Sequence, residues 1–287
     1  MGVCDLLCAL PGATGASTLF AKNSDRPPGE IQVFEQFPPR RDRSGTAATW
    51  VKVPPHPADT LAVVGSRPSW GWGLEHGVNE AGVAAGNASI YTTADPRRAP
   101  DGLTGMDLVR LALERAATAT AAVEIIGDLI STVGQGGSGH EGGRRPYWSS
   151  FLLADPQRAY VLETSDAEMA VESVVDVRSI SNRTTIASFD AVHRHPRQPV
   201  EARVDPRLAA SVRALAARPV DVAGLQAHLS SHEGGPDGWK ICMHVDDPDH
   251  REVTAASMVA ELHADAPSVV HYLVGHPCTG RYETMEI

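Results

Sequence analysis

The chain has 287 residues, 42% of them hydrophobic, with a net charge of −10 and a sequence pI near 5.6. The acidic balance argues against non-specific binding to nucleic acid or anionic membrane. No apolar run reaches the ~20 residues of a membrane helix, and no basic segment precedes the first apolar run as in a secretory signal. The expectation is a cytoplasmic protein with no nucleic acid and no membrane as partner. Its length is enough to bury a full core. Four cysteines, at 4, 8, 242 and 278, form no Cys-x-x-Cys pair. Spacing therefore gives no support for zinc, and neither a metal nor a cofactor is expected.

The first stretch reads as a β-hairpin. Cys4 opens one strand, Pro11-Gly12-Ala13-Thr14-Gly15 makes the turn, and the return strand runs through Lys22-Asn23-Ser24-Asp25. Two readings of Cys4 stand at this point. In one, Cys4 and Cys8 are small apolar strand residues, as buried cysteines usually are. In the other, Cys4 becomes the N-terminus after loss of Met1, Gly2 and Val3. One residue then supplies a thiol nucleophile and an α-amine base with an intrinsic pKa near 8.

Further strands are expected over Glu30–Phe37, Thr49–Val53 and Thr60–Val64, broken by proline-rich loops. Asn79-Glu80-Ala81-Gly82 reads as a turn into the small-residue strand Val83–Ile90, where backbone or ligand can approach closely. Residues 104–132 carry the clearest helical pattern, two helices opened by a Thr104-x-x-Asp107 capping box. The glycine-rich segment 134–143 lacks the Lys-Ser/Thr of a phosphate loop and reads as a connector or a lid. A meander follows over Ser150–Ala154, Ala159–Thr164, Ala167–Val174 and Val177–Ile186. Residues 187–203 read as polar loop. Helices are expected at 206–217, with Asp205 as cap, and at 221–230. Lys240–Val245, Thr254–Leu262 and Ser268–Val274 return to strand. Helix pairs lying between runs of strands point to layered α+β architecture, not to a doubly wound parallel sheet.

An ordered set of motifs spans nearly the whole chain: Cys4-Asp5, Phe20 to Arg26, Trp72-Gly73, Glu75 to Gly82, Asn87, Gly105 to Arg115, Ser150 to Asp155, Ala159 to Thr164, Arg178 to Asn182, Ile241 to His244, Thr254 to Val259, and Pro277-Cys278. Together they resemble the secernin-like cysteine dipeptidases, a family of N-terminal nucleophile (Ntn) hydrolases. The resemblance implies a four-layer αββα sandwich with two stacked, mostly antiparallel sheets and helix pairs outside. It implies a removable propeptide at 1–3 and a single Ntn-hydrolase domain at 4–287. Cys4 would be the nucleophile. Asp25 would hold the α-amine or thiol region, and Asn182 and Asn87 would face the oxyanion. More distant bile-salt hydrolase and penicillin acylase relatives carry Arg at the position of Lys22, which puts Lys22 at the substrate. They also carry a later active-site Arg where this chain has Ile241-Cys242-Met243-His244, which puts His244, or else Cys242, at the substrate. Trp72 joins these two from its own matching motif. The implied partner is a small-molecule amide or dipeptide, with homo-oligomerisation left open. The alternatives are an acylase acting on a non-peptide amide, or a catalytically silent interaction protein.

Overall fold

The computed structural model describes residues 3–41, 45–142, 145–247 and 250–287. Expectations placed on Met1, Gly2, Gly143 and residues 42–44 lie outside the described residues. In chain order the first elements are β1 (Val3–Ala9), α1 (Pro11–Thr14), β2 (Thr18–Arg26), β3 (Gln32–Phe37), β4 (Thr46–Ala47), β5 (Lys52–Val53), β6 (Val63–Pro68), β7 (His76–Asn79) and β8 (Ala84–Ile90). The middle holds α2 (Gly105–Arg115), α3 (Ala119–Thr132), β9 (Trp148–Ala154), β10 (Ala159–Ser165), β11 (Glu168–Ser173), β12 (Val177–Ile180), α4 (Ala187–His193) and α5 (Val200–Arg203). Then come α6 (Asp205–Ala216), α7 (Val222–Leu229), β13 (His244–Asp247), β14 (His250–Leu262), β15 (Val269–Val274) and β16 (Glu283–Glu286).

Two antiparallel sheets face each other. One runs β12-β1-β2-β14-β15-β16, with β13 against β14; the other runs β11-β10-β9-β8-β7-β6-β3. Helices α6 and α7 cover the outer face of the first sheet, and α2 and α3 cover the second. This is the four-layer αββα sandwich. The two-residue period of a strand explains how β1 serves two layers. Cys4, Leu6 and Cys8 point into the apolar core between the sheets, while Leu7 and Ala9 point into the core beneath the helices. Among the described residues no helix is long and apolar enough to cross a membrane.

The opening hairpin forms as expected, closed by the single turn α1 and by Gly15 at φ 81°. Both halves of the Thr104 capping box are present at α2. Other elements depart from expectation for local reasons. Residues 187–203 are not all loop: α4 packs Phe189 into the inter-sheet core. Asp205 is the first helical residue of α6, not its cap. Strand β12 stops at Ile180, because the next two side chains, not the next two peptides, bond to β1. Likewise 240–243 is not strand, since Asn23 Nδ2 donates to the Ile241 carbonyl (3.0 Å) and Met243 N–H donates to Thr254 Oγ1 (2.8 Å). A bulge in β14 between Thr254 and Ala256 lies opposite Asp25 and Ser24. Bulges commonly re-aim a side chain beside a site.

Lys22 is fully buried and joins the two sheets. Its Nζ, carried on β2, donates to the Asn87 carbonyl on β8 (2.7 Å), to the Glu75 carbonyl (2.7 Å) and to Glu75 Oε2 (3.3 Å). Three donors meet three acceptors, so the buried charge is fully satisfied. Opposite it, Gly86 has no room for a larger residue, since a Cβ there would lie 3.0 Å from both Lys22 Cδ and Leu6 Cδ2. Lys22→Met strands two buried carbonyls and leaves Glu75 with Arg26 alone, and is expected to cost about 3–5 kcal/mol in denaturant unfolding. A loss below about 1 kcal/mol would contradict this role.

Candidate active site

Cys4 lies at the end of β1 where the ladder to β12 runs out, and only 5% of it is exposed. Its peptide N–H donates to Asn182 Oδ1 at 2.9 Å, and its carbonyl accepts from Ser181 Oγ at 3.1 Å. Asn182 is held at every polar atom of its amide. Its Oδ1 also accepts from Arg207 Nη2 (3.1 Å), and its Nδ2 donates to the Ser89 carbonyl (3.0 Å). Arg207 comes from α6 and pairs with Asp5, both side chains being fully buried. Ser181 Oγ donates to the other Asp5 oxygen at 2.8 Å. Because Asp5 follows Cys4 in a strand, it faces the helix layer while Cys4 faces the other sheet. The buried ion pair thus fixes the strand from behind, and Arg207 fixes the Asn182 amide.

The Cys4 side chain opens on a narrow cleft lined also by Asp25, Arg26, Glu75, Asn87, Ser89, Tyr91, His140, Arg145 and Tyr147. Burial is the main force on the groups here. It pushes the Cys4 thiol up to about 12 against the pull of the Lys22 charge and the Asp25 backbone N–H. It also raises the Asp25 carboxyl well above the usual range, helped by the Asp5 charge. Asp25 Oδ1 accepts from Thr254 Oγ1 at 2.6 Å, while its buried Oδ2 has no hydrogen-bond partner among the described residues. His140 is pushed down to about 3 by burial and then by the Arg26 charge, so it stays neutral. Arg26 is bound bidentately by Glu30, bonds the Gly139 carbonyl at 2.8 Å, and lies 3.2 Å from Glu75. It thereby clamps the glycine segment over the cleft edge.

Asn87 supplies a carboxamide on the wall from the second sheet. Its Nδ2 lies 3.5 Å from the Tyr147 hydroxyl, and its buried Oδ1 has no partner among the described residues. The first residue of α2 is glycine for this reason: a Cβ on Gly105 would lie 2.4 Å from Asn87 Nδ2 and 2.3 Å from Ser149 Oγ. Tyr147 keeps its proton, because burial raises its pKa. Beside the cleft a cavity of about 520 Å³ shares Tyr91 and Arg145 with it and is lined further by Asp95, Arg97, His195 and three prolines. Its size falls within the ~300–1,000 Å³ of ligand pockets.

Of the residues expected at a site, the structure brings Cys4, Asp25 and Asn87 onto one cleft, with Asn182 bonded to the Cys4 backbone. The Asn182 amide N–H groups point to Ser89, not toward an oxyanion position beside Cys4. Lys22 does not line the cleft, because its ammonium is spent between the sheets. Trp72 lies outside it, its ring stacked 4.2 Å from the Arg110 guanidinium of α2. His244 also lies outside it, beside His232, Cys242 and Cys278. Sequence reasoning missed Asp5, Ser181 and Arg207. Asp5, a charge inside an otherwise apolar strand run, was the available signal, whereas Arg207 sits in an ordinary amphipathic helix. The clefted thiol gives a direct expectation. With residues ahead of Cys4 still attached, its alkylation rate should rise about tenfold per pH unit from about pH 7 to about pH 10. A plateau below about pH 9, followed by mass spectrometry of the Cys4 peptide, would contradict a burial-raised thiol.

No family model matches the chain. Several solved structures do resemble it. A point mutant of conjugated bile acid hydrolase from Clostridium perfringens matches with a TM-score of 0.53 at 11% identity, covering 100% of this chain and 97% of that one. A second variant of that enzyme matches with a TM-score of 0.55 at 10% identity over 99% and 97% of the two chains. The Caenorhabditis elegans ortholog of N-acylethanolamine-hydrolyzing acid amidase matches with a TM-score of 0.51 at 14% identity, covering 89% and 91%. At such identities the likeness is one of fold, and the chain has the αββα architecture of the Ntn-hydrolase type.

Proposed function

We propose that this chain is a cysteine amidohydrolase of the N-terminal nucleophile type that matures by losing residues 1–3 and cleaves a small amide, by preference a dipeptide. The observation that carries the reading is the state of the Cys4 nitrogen. The atom that maturation would turn into an α-amine is already held by a fixed acceptor, Asn182 Oδ1, at 2.9 Å. The thiol of the same residue opens on a cleft with an Asp25 oxygen that has no partner among the described residues.

In maturation, Cys4 Sγ attacks the Val3 carbonyl carbon, the Cys4 nitrogen leaves as the amine, and water hydrolyses the resulting thioester. Residues 1–3 depart as a carboxylic acid and the thiol is restored. Substrate turnover repeats these bonds on a foreign amide. The free α-amine, with its pKa near 8, takes the thiol proton and delivers it to the leaving amine. That base is needed, because the buried thiol does not ionise by itself near neutral pH. Asn182 orients the amine and Asp25 Oδ2 stands available to it. Asn87 Nδ2 and the protonated Tyr147 hydroxyl are the donors for the oxyanion. This moves Asn182 from the oxyanion role its motif implied to an amine-holding one. Arg145 and Arg197 on the adjacent cavity favour a substrate carboxylate, as a dipeptide has, whereas Arg97 is held bidentately by Asp95. Pro96, Pro146 and Pro196 on the same wall favour a second reading, an N-acyl amide with an apolar chain.

A panel of dipeptides beside N-acyl amides separates the two, with amine release as the readout. Cys4→Ser is expected to lower turnover by about 10³-fold or more. Asp25→Asn is expected to lose activity by at least about tenfold yet melt at the same or a higher temperature. The sign follows from linkage. A carboxyl raised on folding stabilises the chain only while protonated, and that stability is lost as pH rises through the folded value. At neutral pH the amide therefore removes a cost. Full turnover by Cys4→Ser would sink the Cys4 nucleophile, and a Cys4 no more reactive than Cys8 in a purified chain without turnover would favour a silent scaffold.

A further inference from the structure

Three segments converge at the edge of the first sheet, outside the Cys4 cleft: the turn after α7, the stretch leading into the first residue of β13, and the stretch after β15. They are tied to one another by hydrogen bonds. Cys242 N–H donates to the Ser231 carbonyl (2.9 Å), and Ser230 Oγ donates to the Pro277 carbonyl (3.1 Å). The result brings His232, Cys242, His244 and Cys278 together, with one ligand atom from each lying within 4.8 Å of all the others. His244 Nε2 sits 3.5 Å from Cys242 Sγ and 3.3 Å from Cys278 Sγ. The Cys278 backbone N–H is directed at the Cys242 sulfur, the kind of outer hydrogen bond that supports a thiolate ligand.

These distances suit a metal. Four ligand atoms at Zn–S of about 2.3 Å and Zn–N of about 2.0–2.1 Å in a tetrahedron lie about 3.3–3.8 Å from each other. Both observed sulfur–nitrogen separations are at or close to that range. Two soft thiolates and two imidazoles, in tetrahedral reach, select zinc among common divalent ions. Cys242 is buried, while His232 and His244 are exposed, so an ion reaches the set from solvent. We propose that His232, Cys242, His244 and Cys278 form a closed two-sulfur, two-nitrogen Zn²⁺ site that staples these three segments. With four protein ligands it leaves no open position, so its role is structural. The ligands are scattered over positions 232–278, which is why no Cys-x-x-Cys spacing announces them.

The staple reaches the cleft through one residue. Thr254 Oγ1 accepts from the peptide of Met243, between two ligands, and donates to Asp25 Oδ1. Fixing the 242–244 segment therefore fixes the partner of Asp25.

The test is metal analysis of the full chain, expressed with zinc and purified under mild reduction. About one zinc per chain is expected, as is a Co²⁺-substituted protein with thiolate-to-cobalt charge-transfer bands and tetrahedral d–d bands. His232→Ala should weaken Zn²⁺ binding by more than about 100-fold, beyond what outer hydrogen-bond partners contribute. The Cys242→Ser, Cys278→Ser double variant should lose both the ion and the thiolate bands. Sub-stoichiometric zinc together with a Co²⁺ spectrum lacking thiolate bands would overturn the site. So would retention of zinc by the double variant, or a Cys242–Cys278 disulfide in the chain purified without oxidant. Should the double variant fail to fold by circular dichroism, the cobalt spectrum of the unaltered chain decides.

Discussion

The site depends on one hydrogen bond, from the Cys4 peptide N–H to Asn182 Oδ1. Everything behind it holds that acceptor still. Arg207 bonds the same oxygen, Asp5 pairs with Arg207, and Ser181 bonds Asp5 and the Cys4 carbonyl. A side-chain acceptor does here what a β12 carbonyl would do in a continued ladder. The difference matters chemically. A ladder carbonyl is placed by the pairing it takes part in, whereas the Asn182 oxygen is fixed by Arg207 and Ser89 and so stays in place when the Cys4 peptide N–H becomes an amine. The buried Asp5–Arg207 pair is costly to desolvate, and it is repaid by four further hydrogen bonds that converge on the end of β1.

Burial also holds the thiol, the Asp25 carboxyl and the histidine of the cleft uncharged. Burial keeps the thiol up at about 12 and the Asp25 carboxyl raised, and it keeps His140 neutral. Glu252, up at about 7 through burial, belongs to the same pattern. Such a site has few bases of its own. An α-amine introduced on Cys4 would be the group best matched to neutral pH. The lysine that could have lowered the thiol further is committed to joining the sheets, and its effect on Cys4 is smaller than that of burial.

Much of the fold is written in periodicity and caps. The α2–α3 pair, the β9–β10 hairpin and the opening hairpin follow directly from local pattern, because each is built from contacts close in sequence. The short strand β7 and the last strand β16 were not legible, since four residues carry too little alternation to stand out. Helix α4 hid in a polar segment because its apolar anchor is a single Phe189. At the site, Cys4 and Asp25 were legible as strand neighbours, and Asn87 and Asn182 through an ordered set of motifs. Side-chain direction was not. Asn182 offers its oxygen to Cys4 because Ser89 takes its N–H groups, and Arg207 lies 202 positions from Asp5. Trp72 and His244 match motifs yet serve other neighbourhoods, one on α2 and one in the histidine–cysteine cluster.

The central claim is that Cys4 turns over an amide substrate only as the first residue of the chain. The most direct measurement uses a variant in which Met1 is followed at once by Cys4, so that methionine removal exposes the α-amine, with its N-terminus verified by intact mass. Amide turnover is expected from this chain, and its loss is expected when the α-amine is selectively acetylated while the thiol is protected and then released. Turnover that survives acetylation, or equal turnover by a chain shown by mass still to begin at Met1 or Gly2, would contradict the claim.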